Sequence, residues 1–275
     1  VNRFLRGVAR ALAETFELPG PILEIGSYQV PGQEEIADLR GLFPGRGYQG
    51  VDCRPGPGVD FEADVESLPQ PDASLGTVIA MNTFEHVPHF WRGFDEIHRV
   101  LRPDGALLVS CPFYFKIHDF PGDYWRFTPA ALEVLLEAYP YKIIGWHGAR
   151  NRPAHVWALA FREERPPISP TQFAKYRRLV GEYARQPLSR GRRWRYHLGS
   201  LLFGRGLFAS HLDRERWDTI CQNSNVKSLR KVRCRTAGSG SAVPALPTAD
   251  ETSSTSPSAS PTGTAASCCA AACKP

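Results

Sequence analysis

The stretch Ile22-Leu23-Glu24-Ile25-Gly26-Ser27 limits the fold more than any other part of the chain. It reads as a buried strand running into a tight glycine turn. A helix-length segment follows, and then a second strand-like run, Tyr48-Gln49-Gly50-Val51-Asp52, which ends on a carboxylate 26 residues after Gly26. A doubly wound α/β domain binds a nucleoside in this way: the glycine lets backbone approach the ligand, and the acid accepts hydrogen bonds from ribose hydroxyls. A dinucleotide turn requires G-x-G-x-x-G, whereas this one runs Gly26-Ser27-Tyr28-Gln29-Val30-Pro31-Gly32. Without the second glycine a pyrophosphate cannot easily come close. The turn therefore speaks against a nicotinamide dehydrogenase and for a nucleoside ligand without phosphates.

The rest of the first 165 residues repeats the alternation. Residues 2–17 read as an amphipathic helix, with Phe4, Leu5, Val8, Leu12 and Phe16 on one face, closed by Pro19-Gly20-Pro21. Strands are expected at 22–26, 48–52, 59–63, 75–81, 106–111, 141–146 and 156–161. Helices are expected at 33–43, 89–101 and from Pro129 to about residue 138, the last with Thr128 as its cap. Arg102-Pro103-Asp104-Gly105 reads as a turn. Strands alternating with helices predict a doubly wound, mostly parallel sheet of Rossmann-like type. The last two of the seven strands have no helix between them, which predicts an antiparallel edge strand.

Charge divides the chain differently. Residues 1–173 hold 16 Lys/Arg against 22 Asp/Glu, while residues 174–235 hold 16 against 4. We therefore expect a ligand-binding domain over 1–165, a basic helical extension over 166–235 and a disordered tail over 236–275, where Gly, Ser, Ala, Pro and Thr dominate. In the extension, Arg190-Gly191-Arg192-Arg193-Trp194-Arg195-Tyr196-His197 precedes Leu198-Gly199-Ser200-Leu201-Leu202-Phe203. Basic residues beside an apolar segment suit an anionic membrane surface or an anionic lipid-linked substrate, through about residues 185–205. Nucleic acid is a less favoured partner, and a solvated helix docked on the acidic domain is the plainest alternative. No run of 18 apolar residues exists, so no transmembrane helix is expected. The N-terminus has no secretory apolar segment, and the seven cysteines include no C-x-x-C pair. These features suggest a cytoplasmic protein, peripheral to the membrane if the basic block binds one, with reduced thiols and no zinc ribbon.

Five blocks come in a telling order: Leu23-Glu24-Ile25-Gly26-Ser27, Gly50-Val51-Asp52, Ala63-Asp64-Val65-Glu66-Ser67-Leu68-Pro69, Asn82-Thr83-Phe84-Glu85-His86-Val87, and Arg99-Val100-Leu101-Arg102-Pro103-Asp104-Gly105. Together they resemble the class I S-adenosylmethionine-dependent methyltransferases of the broad small-molecule type, over about residues 15–162. The resemblance implies S-adenosylmethionine as cofactor. It places Glu24 and Gly26 at the amino-acid part, Asp52 at the ribose hydroxyls, Asp64 and the Val65 amide at adenine, and Asn82 at the methionine moiety, with Ser27 and Cys53 as further cofactor contacts. Ser27 stands where many members have a second glycine. The implied activity is methyl transfer to a small-molecule, glycan or glycolipid-like acceptor; the alternative is a non-catalytic binding or scaffold protein that keeps the fold.

Pro112 to Thr128 is too polar for a core and too aromatic for an idle loop. It contains His118, Asp123-Tyr124-Trp125-Arg126-Phe127-Thr128 and, earlier, Tyr114. Following the expected fifth strand, it lies where ligands bind in such sheets. It resembles a segment of one bacterial methyltransferase group often found near polysaccharide and glycolipid genes. We read it as a lid over the acceptor, with Tyr114, His118, Asp123, Tyr124, Trp125 and Arg126 as contacts. A rigid loop with an Asp123–Arg126 pair is the competing reading. His118 and then His86 are the candidate bases for an acceptor proton. No metal set is expected, since His118 and Asp119 lack a third ligand at convincing spacing.

Overall fold

A computed structural model describes residues 2–118, 122–185, 189–204 and 215–223. The residues 236–275 expected to be disordered lie outside the described residues, as do Asp119 and Cys234, Cys268, Cys269 and Cys273.

The chain opens with helix α1 (Arg3–Thr15), capped by the Asn2 side chain, which accepts from the Leu5 amide at 2.9 Å. The parallel half of the sheet comprises β1 (Ile22–Ile25), β2 (Tyr48–Asp52), β3 (Phe61–Glu62), β4 (Leu75–Met81) and β5 (Leu101–Pro112). Helix α2 (Glu34–Ala37) lies between β1 and β2, and α3 (Phe90–Val100) between β4 and β5. Helix α4 (Pro129–Leu135) then leads to β6 (Tyr141–Ala149) and β7 (Arg152–Phe161). Next come α5 (Pro170–Tyr183), α6 (Arg190–Phe203) and β8 (Trp217–Asn223). The strands lie in the order β3-β2-β1-β4-β5-β7-β6-β8, eight in one sheet. Pairing is parallel from β3 through β5 and antiparallel beyond. Burial explains the sequence pattern: β1 and β4 are buried on both faces and so read as near-continuous apolar runs, broken by Glu24 and Thr77.

Two cores flank the sheet. On one face Leu23, Ile25, Val51, Val78 and Val109 pack with Phe84, Phe94 and Ile97 from the β4–α3 segment. On the other, Ile22, Ile79, Leu108 and Trp157 pack with Phe4, Leu5, Val8 and Leu12 of α1 and with Tyr176, Leu179 and Val180 of α5.

Four expectations need correction. The helix expected over 33–43 is only Glu34–Ala37 followed by a 3-10 turn at Arg40–Leu42. Asp38 breaks it: its backbone is extended and its carboxylate takes the Arg40 amide at 2.9 Å, offering the chain a local alternative to the helix. The turn expected at 102–105 is drawn into β5, because the chain beyond β7 runs beside it, with the Arg162 and Glu164 amides donating to the Gly105 and Pro103 carbonyls. The sheet has an eighth strand, β8, which covers the open edge of β6 and satisfies backbone groups that would otherwise face water. The basic stretch is therefore not wholly helical. Its first helix, α5, is fixed by a capping box of Ser169 and Gln172 and lies so close to α1 that a methyl group on Gly7 would meet the Ala184 backbone at 2.6 Å. Helix α6, by contrast, buries none of its residues.

Candidate functional site

The carboxyl ends of β1, β2 and β4 build one side of the site. Gly26 turns the chain at φ +75°, and its amide and that of Ser27 both reach the Val51 carbonyl, at 2.8 and 3.1 Å. A side chain at Gly26 would strike Thr83, whose Oγ1 donates to the Ile25 carbonyl at 3.0 Å. The glycine is therefore required both by its backbone angle and by this crossing of the β1 and β4 ends. Asp52 accepts from the Tyr28 amide at 3.3 Å, with Arg54 Nε at 3.5 Å and Cys53 Sγ at 3.6 Å from its other oxygen. The end of β3 returns to the same place, since the Ala63 amide donates to the Asp52 carbonyl at 3.1 Å. Asp64 is exposed and caps its own turn through the Glu66 amide at 2.9 Å, while Val65 is buried in the core. Asn82 adopts φ +57° at the end of β4 and accepts from Ser110 Oγ at 2.9 Å.

Glu24 does not stand free over this edge. It is buried on the face of β1 that also carries Ile22 and accepts the Tyr48 hydroxyl at 2.8 Å. Burial pushes its carboxyl up to about 7, against the opposing effect of that hydrogen bond. The carboxylate expected at the amino-acid part of a cofactor is thus paired within the sheet.

The second side lies beyond β4 and β5. Phe84–His86 form a 3-10 turn, and the segment after β5 folds back onto it. The Tyr124 and Trp125 amides donate to the Glu85 carbonyl at 2.8 and 3.2 Å, and the Trp125 indole donates to the Val87 carbonyl at 3.1 Å. Phe90 packs edge-on against Trp125 and Phe127, each at 5.1 Å. The described part of the expected lid is therefore a pinned loop. Tyr114 and Tyr124 remain half-exposed on it, with Arg152 over the Tyr114 ring.

Within this loop Asp123 has no side-chain surface left for a ligand. It pairs bidentately with Arg126, accepts the His118 amide at 2.8 Å and stands 3.0 Å from His118 Nδ1. The Arg126 guanidinium holds its carboxyl well below the usual carboxylate range. Asp123, expected as an acceptor contact, supports His118 from behind; Arg126 pairs with Asp123 and keeps part of its side chain exposed. His86 sits beside His118, ring centroids 4.9 Å apart, and burial lowers its basicity. Its Nδ1 faces the Gly122 carbonyl oxygen.

Sequence reasoning passed over Glu85. The side chain is buried and neither oxygen has a hydrogen-bond partner. Burial, aided by the nearby Asp123 charge, pushes its carboxyl up to about 8. One ligand atom each from Glu85, His86 and His118 lies within 4.8 Å of the others. The only signal in the sequence was the adjacency of Glu85 to His86.

Comparison with known proteins gives matches over parts of the chain. Residues 48–109 match a methyltransferase domain family. A 55-residue stretch is 44% identical to phthiotriol/phenolphthiotriol dimycocerosates methyltransferase 1 of Mycobacterium ulcerans, covering 20% of each chain. A 53-residue stretch is 43% identical to 27-O-demethylrifamycin SV methyltransferase of Amycolatopsis mediterranei, covering 19% of this chain and 20% of that one. The match thus spans about a fifth of the length of these curated relatives. Among solved structures, a SAM-dependent methyltransferase from Archaeoglobus fulgidus aligns with a TM-score of 0.46 at 15% identity, over 57% of this chain and 93% of that one. Over residues 48–109 the chain is similar to the S-adenosylmethionine-dependent methyltransferases. S-adenosylmethionine is the cofactor of that class.

The residues present fit such a group. Ser27 Oγ is buried beside the Gly26 turn with no hydrogen-bond partner, so an unmet polar atom stands where a ligand is expected. The Asp52 carboxylate, at the end of β2, borders the same turn through the Tyr28 amide.

Proposed function

We propose that the protein transfers a methyl group from S-adenosylmethionine to a hydroxyl-bearing small molecule of glycan or glycolipid type. The observation that carries the reading is the pairing of two unlike site halves on one sheet edge: a glycine turn with Asp52, and a histidine pair backed by Asp123. The two relatives named above, methyltransferases of phthiotriol/phenolphthiotriol dimycocerosates and of 27-O-demethylrifamycin SV, support it.

When bound, the cofactor supplies a methyl group already activated by a sulfonium. The chain then has to hold the acceptor in line, exclude water and take a proton. In this reading Ser27 and Asp52 hold the nucleoside, with Asp64, the Val65 amide and Asn82 along the same edge. Tyr114, Tyr124 and Trp125 form the aromatic wall on the acceptor side. Asp123 orients His118 by accepting from its Nδ1, which leaves the outer nitrogen of the ring to accept the acceptor's proton; His86 is the alternative acceptor of that proton. Calorimetry with S-adenosylhomocysteine, followed by turnover on a panel of hydroxylated glycans and glycolipids, tests the proposal. Absence of binding by folded protein defeats it. Binding with no turnover across the panel favours a scaffold role instead.

Helix α6 supports an anionic membrane surface as the second partner. Trp194, Leu198, Leu201, Leu202 and Phe203 are exposed along it, and Arg190, Arg192 and Arg195 are exposed beside them. Such a helix can lie in the headgroup layer with its arginines on anionic lipid. Among the described residues no helix is long and apolar enough to cross a membrane. Cosedimentation with phosphatidylglycerol vesicles but not with phosphatidylcholine vesicles is the expected result.

A further inference from the structure

We propose that Glu85, His86 and His118 bind a divalent transition-metal ion of the zinc class. Glu85 and His86 come from the turn after β4 and His118 from the segment after β5, so the three span the strand ends on the acceptor side. The largest separation between their ligand atoms is 4.8 Å. Ligands bound at about 2.1 Å to one ion lie about 3 to 4 Å apart, so a small inward rotation closes the set. His118, with a third of its side chain exposed, has room to make it.

Glu85 is the strongest element of the argument. Its side chain is 1% exposed and both oxygens lack hydrogen-bond partners; His86 Nε2 stands 3.8 Å from Oε1. Leaving such a group buried and unpaired is costly, because its desolvation is not balanced by a hydrogen bond. A cation held between the carboxylate and the imidazoles offsets that cost.

The two imidazoles are arranged as ligands. Nδ1 of His86 is tied to the Gly122 carbonyl, and Nδ1 of His118 stands 3.0 Å from Asp123 Oδ2 and 3.3 Å from the Lys116 carbonyl. An Nδ1–H held by a carbonyl or carboxylate fixes the ring and leaves the lone pair on Nε2, the outer-shell arrangement found behind metal-bound histidines. Asp123 is itself fixed by Arg126. Two imidazole nitrogens and one carboxylate suit Zn²⁺, Fe²⁺ or Co²⁺, whereas Mg²⁺ and Ca²⁺ prefer oxygen ligands.

Three protein ligands leave coordination positions for water or for an acceptor oxygen. An acceptor hydroxyl on the ion loses its proton to solvent more easily, which relieves the imidazoles of that task. This role rests on the methyl-transfer reading; the existence of the site does not.

The test is titration of untagged, metal-stripped full-length protein with Co²⁺, read from the visible d–d bands and from metal content after dialysis. We expect one ion per chain, with affinity reduced at least tenfold in each of Glu85→Gln, His86→Ala and His118→Ala. His89→Ala, which alters the separate His89–Glu66 pair, should bind as the parent does. No stoichiometric band, or a band unchanged in the folded His118→Ala and His86→Ala proteins, overturns the site. Should Glu85→Gln fail to fold, the two histidine variants still decide. S-adenosylhomocysteine calorimetry on the same samples separates the two readings. Co²⁺ bound without the nucleoside leaves the metal site standing and removes methyl transfer, and the reverse outcome removes only the metal site.

Discussion

The two halves of the site are made of different materials. The nucleoside half is a product of backbone: a glycine turn, strand ends in parallel register and carboxylates that cap short turns, all within the span from Ile22 to Asn82. The acceptor half is a product of side chains. Glu85 and His86 meet His118 only because the segment after β5 folds back and donates two amides to the Glu85 carbonyl. Polar atoms in the first half mostly find partners close in sequence or in strand register. In the second half a buried carboxyl finds none. Ser27 Oγ is the exception in the first half, so each half keeps an unmet polar group for which a ligand or ion is the simplest partner.

The strongest challenge to this contrast is chemical. Replacing both His86 and His118 by alanine is expected to lower turnover about 10²- to 10⁴-fold, as loss of proton handling does, while S-adenosylhomocysteine affinity stays as in the parent. A parallel fall in nucleoside affinity would mean that the halves are not separate.

Next in size is the buried Glu24–Tyr48 pair behind the nucleoside half. The folded-state carboxyl is raised to about 7 from 4.5, mainly by burial. A raised group contributes stability that is fully present below its unfolded value and is lost as pH rises through the folded one. Glu24 should therefore cost the protein up to about 3 kcal/mol between pH 4.5 and 7. Urea unfolding at pH 5 and pH 8 should show a smaller loss in Glu24→Gln than in the parent, the remainder coming from Glu85, whose carboxyl is raised to about 8. An equal slope in both would mean that Glu24 is solvated.

Asp52→Ala comes third. Losing a charge-assisted acceptor is expected to weaken nucleoside binding by about 1.5–3 kcal/mol, with the thermal midpoint of the free protein little changed and metal affinity untouched. The smallest expected effect concerns the frame. Asn2→Ala and Ser169→Ala each remove a helix cap and should cost about 1 kcal/mol in urea unfolding, without altering either ligand. A loss of nucleoside affinity in these variants would tie α1 and α5 to the site.

Much of the nucleoside half could be read from the chain alone. Ile22–Ser27 and Tyr48–Asp52 are short, apolar and bounded by glycine or proline, so local rules were enough to give strand, turn and acid. The same rules failed where a neighbour competed. Gln33–Phe43 has helical spacing, yet the Asp38 side chain takes the Arg40 amide, and the Arg40 guanidinium reaches Gly58 and Asp60 across the sheet. Trp217–Asn223 looked like part of a basic helical tail. It is a strand because β6 offered an unpaired edge.

Residue order and spacing settled the α/β alternation, the turn at Gly26 and the acid at Asp52, because those depend on φ/ψ preference and on apolar period within a few residues. Folding settled what faces what: Glu24 turned toward Tyr48, and His118 brought to Glu85 and His86 within 4.8 Å. Contacts between groups on different elements follow from packing of whole elements, and no local pattern in the chain encodes them.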